Sequence, residues 1–422
     1  MTRIELSNGL RVIVRTNRLS PSVAIRLCLQ TGSVHDPAGK EGLSLATGLM
    51  LEEGTRERTG KEIAELVDYL GAETDVAVDK HSTVLVASLL TKDLGTILRL
   101  LRETAAEPVF PARELGTIKG QLLTGIQEEE HDTRVVSLRT LARLLYPAGH
   151  PYRRPGGGVR RSVGSLGRRD LVRFHGDRYH PRGAILVVVG DVDEEKTARL
   201  VARVFGSWKK DGDPGPPDVP DAKGPKRTAA KAVVVPDKTQ SDIAFGFIGI
   251  RRTDPDFHGV GVMNQILGAF GLGGRLGNRI REEEGLAYYV HSSLHASVGA
   301  GPYVIRAGVH PDHVKPAVRI IREEIDRIRR DLVRPSELEE TRSYLVGSLP
   351  LKLETNDGIA SFLLSEEYYG LGPDYLARFR EGVGAVSRED VRAAARRLLR
   401  EDVYSLAVAG PPLAEPLEDD AP

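Results

Sequence analysis

The sequence predicts an α+β protein built from two homologous α/β-sandwich domains, in each of which helices cover a mixed sheet. The chain has 422 residues, which is too long for one ordinary domain and suits two domains of about 200 residues. Short strand-like runs are interspersed with longer segments of helical periodicity. The order strands, helix, strands, helices and strand occurs twice, which indicates that the domains are related by internal duplication.

In the first half, residues 4–14 are predicted to form a β-hairpin, because Asn8-Gly9 is a favoured two-residue turn between two alternating runs. The other predicted strands are aliphatic and β-branched runs at 23–31, 73–77, 82–89 and 183–189. Helices are predicted at 42–50, 59–70, 92–105, 111–130, 134–145, 169–178 and 194–205. Thr59 and Glu62 form a capping box at the start of the second of these helices.

Residues 211–230 are rich in proline, glycine and charge, so they are predicted to form an extended linker. The second half has predicted strands at 231–236, 241–250, 285–293, 301–309 and 403–409. Its predicted helices lie at 258–267, 311–330, 335–349, 357–369 and 387–399. The predicted domains are therefore 1–210 and 231–412, followed by an acidic, disordered tail at 413–422.

Composition excludes several functional classes. The 59 basic and 59 acidic residues cancel, so no global field that attracts nucleic acid or an anionic membrane is expected. Cys28 is the only cysteine, which excludes a disulfide framework and a thiolate zinc cluster. Residues 1–6 have no apolar signal core, and no run approaches the ~18 apolar residues of a membrane span. A cytoplasmic location is expected.

A corner in the second half, at residues 273–290, joins a glycine-rich start, a short helix, a glycine and a strand. Gly285 lies where helices favour a left-handed residue, and the β-rich run after it reverses the chain direction. The reversal is predicted to bring Tyr288 beside Arg281, so that a guanidinium and a phenol project from one rigid corner. The alternative is an ordinary surface helix on which Arg281 pairs with a glutamate.

Several short runs, taken together and in order, resemble the pitrilysin/insulinase family of metallopeptidases, in particular its bacterial branch that is similar to mitochondrial processing peptidase. The resemblance covers nearly the whole chain and implies a clamshell arrangement of the two domains. The runs that carry it are Asn8–Val12, Thr31–Ser33, Gly42–Thr55, His150–Tyr152, Val188–Val192, Leu267-Gly268, Arg281–Tyr288 and Gly347–Leu351.

Active members of that family carry the motif H-x-x-E-H, whose histidines hold zinc and whose glutamate activates the bound water. The resemblance places the two histidine positions at Leu45 and Leu49 and the glutamate position at Gly48. The third zinc ligand, a glutamate on a later helix, would fall near Gly125. Leucine and glycine side chains cannot bind zinc, so no zinc is expected in this chain.

Two histidine pairs are the remaining candidates for a metal site. His291 with His295, and His310 with His313, lack the spacing of H-x-x-E-H or H-E-x-x-H. They are interpreted as surface or half-buried histidines. An active peptidase with a different metal site is kept as an alternative.

The resemblance also assigns substrate contacts. A glycine-rich loop would approach the substrate closely, and an edge strand would accept an extended peptide through main-chain hydrogen bonds. The residues assigned in this way are Gly271, Gly273, Gly274, Thr74, Asp75 and Val76.

The resemblance therefore implies a non-zinc, substrate-binding subunit of a heterodimeric zinc metallopeptidase that acts on short or unfolded peptides. A homologous partner would carry H-x-x-E-H and the zinc. Arg281 would hold a substrate carbonyl, and Tyr288 would stabilise the oxyanion. By itself the chain is predicted to be inactive. The alternatives are a catalytically inert structural subunit and a homodimeric peptide-binding protein.

Overall fold

The predicted strands form two separate mixed sheets in the computed structural model. The structure describes residues 1–208, 212, 215, 217–400 and 402–417, and it describes Leu272 by its backbone only. Within these residues, one sheet contains β1 (Thr2–Glu5), β2 (Arg11–Thr16), β3 (Ser22–Leu29), β4 (Glu73–Val78), β5 (Thr83–Leu90) and β6 (Ile185–Gly190). The other contains β7 (Ala229–Val234), β8 (Ser241–Ile248), β9 (Ala287–Leu294), β10 (Pro302–Val309) and β11 (Ser405–Gly410).

Helices cover the faces of both sheets. In chain order, the α-helices of the described residues are α1 (Leu43–Leu49), α2 (Gly60–Leu70), α3 (Leu94–Ala106), α4 (Ala112–Glu130), α5 (Thr133–Leu145), α6 (Arg160–Gly164), α7 (Arg168–Arg178), α8 (Glu194–Phe205), α9 (Phe257–Asn264), α10 (Val314–Arg330), α11 (Pro335–Gly347), α12 (Leu349–Lys352), α13 (Asn356–Tyr368), α14 (Tyr375–Ala385) and α15 (Arg388–Leu398). Within the described ranges, none is long and apolar enough to cross a membrane.

Five strands of each sheet follow the same plan. The first sheet has the order β2-β6-β3-β5-β4, with β1 added beside β2, and the second has the order β7-β11-β8-β10-β9. In each, the first pair is parallel and the later pairs are antiparallel. This correspondence confirms two α/β domains of one design and makes β4 and β9 equivalent edge strands. The clamshell arrangement stays a prediction.

The chain divides into two compact units, and each contains a helix from the other half of the sequence. Unit 1 comprises residues 1–126, 155–218 and 349–372, and unit 2 comprises 127–154, 219–348 and 373–422. In unit 2, α5 packs on β8 and β11, whereas in unit 1, α13 packs on β3 and β6. The compact units are therefore built from several segments each, whereas the domains predicted from the sequence, 1–210 and 231–412, are contiguous. The predicted domain boundaries stay a prediction.

Burial explains why α5 and α13 each lie in the unit formed mainly by the other half of the sequence. Each sheet has two apolar faces, and both faces need to be covered. In unit 1 one face packs against α1, α2, α3, α7 and α8, with Leu27 and Leu98 fully buried between them. Ile13 and Ile185 point to the other face, where Leu363 of α13 covers them. Of the predicted linker, Asp211, Asp213, Pro214 and Pro216 lie outside the described residues, as do residues 418–422 of the predicted tail.

One local prediction is wrong, and helix α14 has no counterpart among the predicted elements. The first hairpin does not turn at Asn8-Gly9 alone, because Glu5 pairs with Arg11 and the loop spans residues 6–10. The Asn8 amide instead donates to the carbonyl oxygens of Phe205 and Trp208, 2.8 and 3.0 Å away, so a tertiary contact fixes this loop. The helix α14 was not predicted, since its glycines have low helix propensity.

Candidate functional site

The corner that carries Arg281 and Tyr288 is a π-helix followed by an edge strand. The π-helix spans Gly277–Glu283, and Leu276 and Ile280 anchor it because both are fully buried. Gly285 adopts a left-handed conformation with φ 63°, which costs glycine no steric strain. The amide of Leu286 then donates to the carbonyl of Ile280 at 2.9 Å and joins the end of the helix to β9.

Tyr288 lies in a β-bulge at the start of β9. Tyr289 faces Gly308 and Ala287 faces Val309, so Tyr288 is the extra residue between two consecutive positions of β10. A bulge of this kind re-aims one side chain and is often found beside active sites. Consistent with that geometry, Tyr288 is 65% exposed although its neighbour Ala287 is buried.

Arg281 is also available to a ligand. Its side chain is 44% exposed, and the nearest carboxylate oxygen, from Glu282, is 3.9 Å from its Nε. Such a long contact between exposed groups contributes little. Arg279, two residues earlier, differs because it is bound by Glu323 and Glu324 at 2.6 and 3.0 Å. The guanidinium at 281 is therefore not held by the ion-pair network that fixes its neighbour.

A buried carboxylate anchors the bulge. Asp242 of β8 is 1% exposed and accepts hydrogen bonds from the hydroxyl groups of Tyr289 and Thr133. Burial and the adjacent Asp242 raise the pKa of Tyr289 above its usual value, so the phenol stays protonated and donates. Gly308 provides the space for the ring, because a Cβ there would lie 2.5 Å from Cε1 of Tyr289.

The glycine-rich stretch packs closely beside this strand. A Cβ at Gly268 would lie 2.8 Å from Oγ of Ser292, and one at Gly274 would lie 2.9 Å from Cα of Gly268. Gly271 has φ 61°, a conformation that favours glycine. A Cβ at Gly273 would lie 2.1 Å from the Phe270 ring. Close packing therefore explains Gly268, Gly273 and Gly274, and the left-handed backbone explains Gly271. Contact of Gly271, Gly273 and Gly274 with a substrate stays a prediction.

An ion pair fixes the end of the glycine-rich stretch to α11. Arg275 donates twice to Glu337, with Nε–Oε1 and Nη2–Oε2 distances of 2.8 and 3.0 Å. Burial opposes ionisation of Glu337, but the bonds from Arg275 and from the amide of Arg334 outweigh it and lower the pKa to about 2. The pair is thus charged at neutral pH and holds the stretch in place.

In unit 1, α1 presents aliphatic side chains where the sequence comparison expected a metal motif. Leu45 and Leu49 are partly buried, and Leu49 packs against the core. Gly48 faces β4 so closely that a Cβ would lie 2.3 Å from Cγ2 of Val78. Gly125, on α4, has open space around the position of a Cβ. No group of three or more His, Cys, Asp or Glu residues suited to a metal ion occurs within the described ranges.

The predicted substrate strand does lie at a sheet edge. β4 pairs with β5 on one side, and no other described strand pairs with its opposite side. Val76 points into the core, whereas Asp75 is exposed and Thr74 is half-buried. Beside the strand, burial raises the pKa of Glu52, and Asp75 adds to this effect, although a hydrogen bond with Thr74 opposes it. The open edge suits main-chain pairing with an extended peptide.

Comparison with known proteins decides the family. A family model described as "Insulinase (Peptidase family M16)" matches residues 11–150, and a second model, described as "Peptidase M16 inactive domain", matches residues 165–345. The chain belongs to the insulinase (M16) peptidase family. The resemblance that the sequence motifs indicated is therefore confirmed.

The relatives and solved structures that match this chain cover almost its whole length. An uncharacterized zinc protease of Streptomyces coelicolor is 27% identical over 97% of this chain and 89% of the relative, and one of Bacillus subtilis is 26% identical over 97% and 98%. A crystal structure titled as a peptidase M16 inactive domain from Pseudomonas fluorescens has a TM-score of 0.91 with 26% identity over 99% of both chains. A Helicobacter pylori protease, 17% identical over 97% of this chain and 99% of the other, shares the fold with a TM-score of 0.89.

The zinc that the M16 family implies does not fit the residues of this chain. The positions that the resemblance assigns to the two histidines hold Leu45 and Leu49, of which Leu49 packs against the core. Val78 fills the space into which a glutamate at position 48 would extend. Neither a metal ligand nor a water-activating carboxylate is present at these positions. The M16 fold is retained here without that donor set.

Sequence reasoning missed the anchor of the bulge. Asp242 is the one charged residue of strand β8, which is mostly apolar. A charged residue in such a strand is unusual and could have indicated a buried carboxylate with a specific role. Its partners Tyr289 and Thr133 could not be identified, because they depend on the bulge and on the packing of α5 against the sheet of unit 2.

The packing of Gly48 gives a test by stability. Alanine raises helix propensity by about 1 kcal/mol over glycine, but at position 48 it would clash with Val78, and overpacking costs about 1–3 kcal/mol. We expect Gly48→Ala to lower the free energy of unfolding measured in urea. Gly125→Ala, the matched control in open space, is expected to raise it.

Combining Gly48→Ala with Val78→Ala should recover part of the loss, because the second change removes the clashing methyl groups. A stabilising Gly48→Ala would show that β4 yields easily and that the space for a longer side chain is present.

Proposed function

We propose that this chain is the non-zinc, substrate-binding subunit of a heterodimeric zinc peptidase that acts on short or unfolded peptides. It would pair in the cytoplasm with a homologue that carries H-x-x-E-H. The observation that carries the proposal is the combination of two features in one M16 chain. The metal positions on α1 are aliphatic or glycine, whereas Arg281 and Tyr288 are displayed on an anchored corner.

The construction of the corner supports a role beyond packing. An exposed tyrosine that only covered a surface would need neither a bulge nor a buried carboxylate beside it. Here Asp242 is buried to hold Tyr289, and this fixes the backbone that projects Tyr288. Burying a carboxylate without a cationic partner is costly unless hydrogen bonds compensate it, so the arrangement favours a functional reason for the exposed phenol.

The two side chains suit the recognition of a peptide bond that is being cleaved. The guanidinium of Arg281 would donate to a substrate carbonyl oxygen and hold the extended peptide. The hydroxyl of Tyr288 would donate to the oxygen that gains negative charge during hydrolysis, a contribution worth about 10²–10³ in rate. The metal and the attacking water would come from the partner.

Reconstitution tests the proposal. The chain is co-expressed with an H-x-x-E-H homologue from the same genome, and the complex is assayed with a quenched fluorescent peptide of unfolded sequence. We expect a one-to-one complex, hydrolysis only when both chains are present, and zinc bound in proportion to the partner. A partner whose motif glutamate is changed to glutamine is the matched control, and it should form the complex without hydrolysis.

Two results would contradict the proposal. Hydrolysis by the isolated chain that a chelator abolishes would mean that a metal site exists elsewhere in it. A stable homodimer that binds peptides and ignores the homologue would favour the alternative, a catalytically inert peptide-binding member of the family.

A further inference from the structure

The edge strand β9 is the counterpart of β4 in unit 2. It pairs with β10 on one side, and no described strand pairs with its other side. On that side, the main-chain donors and acceptors of β9, beginning at the bulge that carries Tyr288, are therefore not paired with another described strand. An extended peptide can add to such an edge by the hydrogen bonds of a sheet.

Side chains of β9 alternate between the core and an outer face. Val290 and Ser292 are buried, whereas Tyr289, His291 and Ser293 lie half-buried on the outer face. The rings of Tyr289 and His291 are 5.7 Å apart. Arg306 of β10 lies directly opposite His291 in the strand register, so it belongs to the same face.

Two guanidinium groups converge on this face. Cζ of Arg134, from the first turn of α5, lies 5.1 Å from the centre of the Tyr289 ring. Arg306 lies opposite His291, and Gly308, two residues further along β10, lies opposite Tyr289, so Arg306, His291 and Tyr289 share one face. Within the described part of the chain, neither arginine has a carboxylate oxygen within 4.0 Å. Burial and the charge of Arg306 lower the pKa of His291, so its ring can donate a hydrogen bond but adds no charge at neutral pH.

The acidic groups nearby already have other partners. Asp242 accepts hydrogen bonds from Tyr289 and Thr133, and Gln240 lies 3.4 Å from its oxygens. Asp132 caps α5 by accepting from the amides of Arg134 and Val135 at 2.8 and 3.4 Å. Hydrogen bonding leaves both carboxylates charged, but among the described residues neither forms an ion pair with Arg134 or Arg306, so both guanidinium groups stay available to an acidic side chain of a peptide.

We propose that β9 binds an extended peptide and that the face formed by Arg134, Arg306 and His291 selects an acidic side chain in it. The proposal rests on the proposed peptide-binding function and names its substrate class. In a peptide added to β9, every second side chain lies on the outer face. An aspartate or glutamate at such a position would meet a guanidinium, and charge-assisted pairs of this kind are strong and directional.

Binding of labelled peptides to the purified chain tests the inference. The probes are unstructured fluorescein-labelled peptides with glutamates at alternate positions, and the same peptides with glutamine at those positions. Fluorescence anisotropy should show about ten- to a hundredfold tighter binding of the glutamate peptide, the range expected for hydrogen bonds to a charged group. Added salt should reduce that preference.

Variants locate the effect. Arg306→Gln and Arg134→Gln should each lose most of the preference for glutamate, while binding of the glutamine peptide stays unchanged. Arg319→Gln is the matched control, because Arg319 is 71% exposed on α10 and should keep the full preference. Circular dichroism checks that each variant is folded. If Arg306→Gln does not fold, Arg134→Gln alone tests the inference, because Arg134 is exposed and its replacement should not disturb folding.

Hydrogen exchange separates this inference from the proposed function. Bound peptide should protect the amides of 287–294. Protection confined to 73–78, with equal affinity for both peptides in every variant, would overturn the inference and leave peptide binding by this subunit intact. If neither peptide binds, the inference fails, and hydrolysis by the reconstituted pair still decides the proposed function separately.

Discussion

Replacing Arg281 by alanine is expected to lower kcat/KM of the reconstituted pair by about 10–10², because it removes a charge-assisted hydrogen bond to the substrate carbonyl. Tyr288→Phe should lower kcat by about 10²–10³ and leave KM nearly unchanged, since its hydroxyl stabilises the charge that develops in the transition state. Steady-state kinetics with a quenched fluorescent peptide measures both effects.

Matched controls separate these effects from general damage. Tyr69→Phe removes a hydroxyl from a tyrosine that is 86% exposed on α2, and Arg319→Ala removes an exposed arginine on α10. Both variants should retain the activity of the wild-type pair. If Arg281→Ala and Tyr288→Phe also retain it, the corner has a packing role and the structural-subunit alternative gains support.

Separating the two halves of the chain is expected to prevent folding. A fragment of residues 1–218 lacks α13 and leaves one face of the first sheet uncovered, while its own α5 has no sheet to pack on. The loss should equal or exceed the stability of a typical domain, about 5–15 kcal/mol. Expressed separately, 1–218 and 219–422 should be insoluble or unfolded, and co-expression should yield a folded complex.

A single substitution tests the same packing more gently. Leu363 of α13 is 2% exposed, so Leu363→Ala should lower the free energy of unfolding by about 2–5 kcal/mol. Leu351→Ala is the matched control, because Leu351 is 72% exposed in α12 and should change stability little. Cooperative unfolding of the isolated fragment 1–218 would show that unit 1 does not need α13.

Local features of the fold were predictable because neighbouring residues encode them. The capping box of Thr59 and Glu62 forms as predicted, with the amide of Thr59 donating to Glu62 at 2.8 Å. Gly285 is left-handed as its position suggests. In contrast, the turn at Asn8-Gly9 was predicted too short, since the Asn8 side chain binds carbonyl groups near residue 205.

Some features of the candidate site could be predicted from the sequence, and others depend on the tertiary structure. The absence of a zinc motif at Leu45, Gly48 and Leu49 is a matter of residue type, and it can be read without coordinates. The sequence also predicts a site at Arg281 and Tyr288, and their role stays a proposal. It did not indicate that Tyr288 occupies a bulge, or that Asp242 fixes that bulge from another strand.

The sequence by itself determined the α+β class, the duplication, the family and the loss of metal-binding side chains. These properties depend on periodicity, order and chemical identity along the chain. Only the tertiary structure decided that α5 and α13 each pack in the unit opposite to their sequence half, and that Arg134 and Arg306 share a face with Tyr289. Burial and strand register bring these distant residues together, and neither is expressed in any short stretch of sequence.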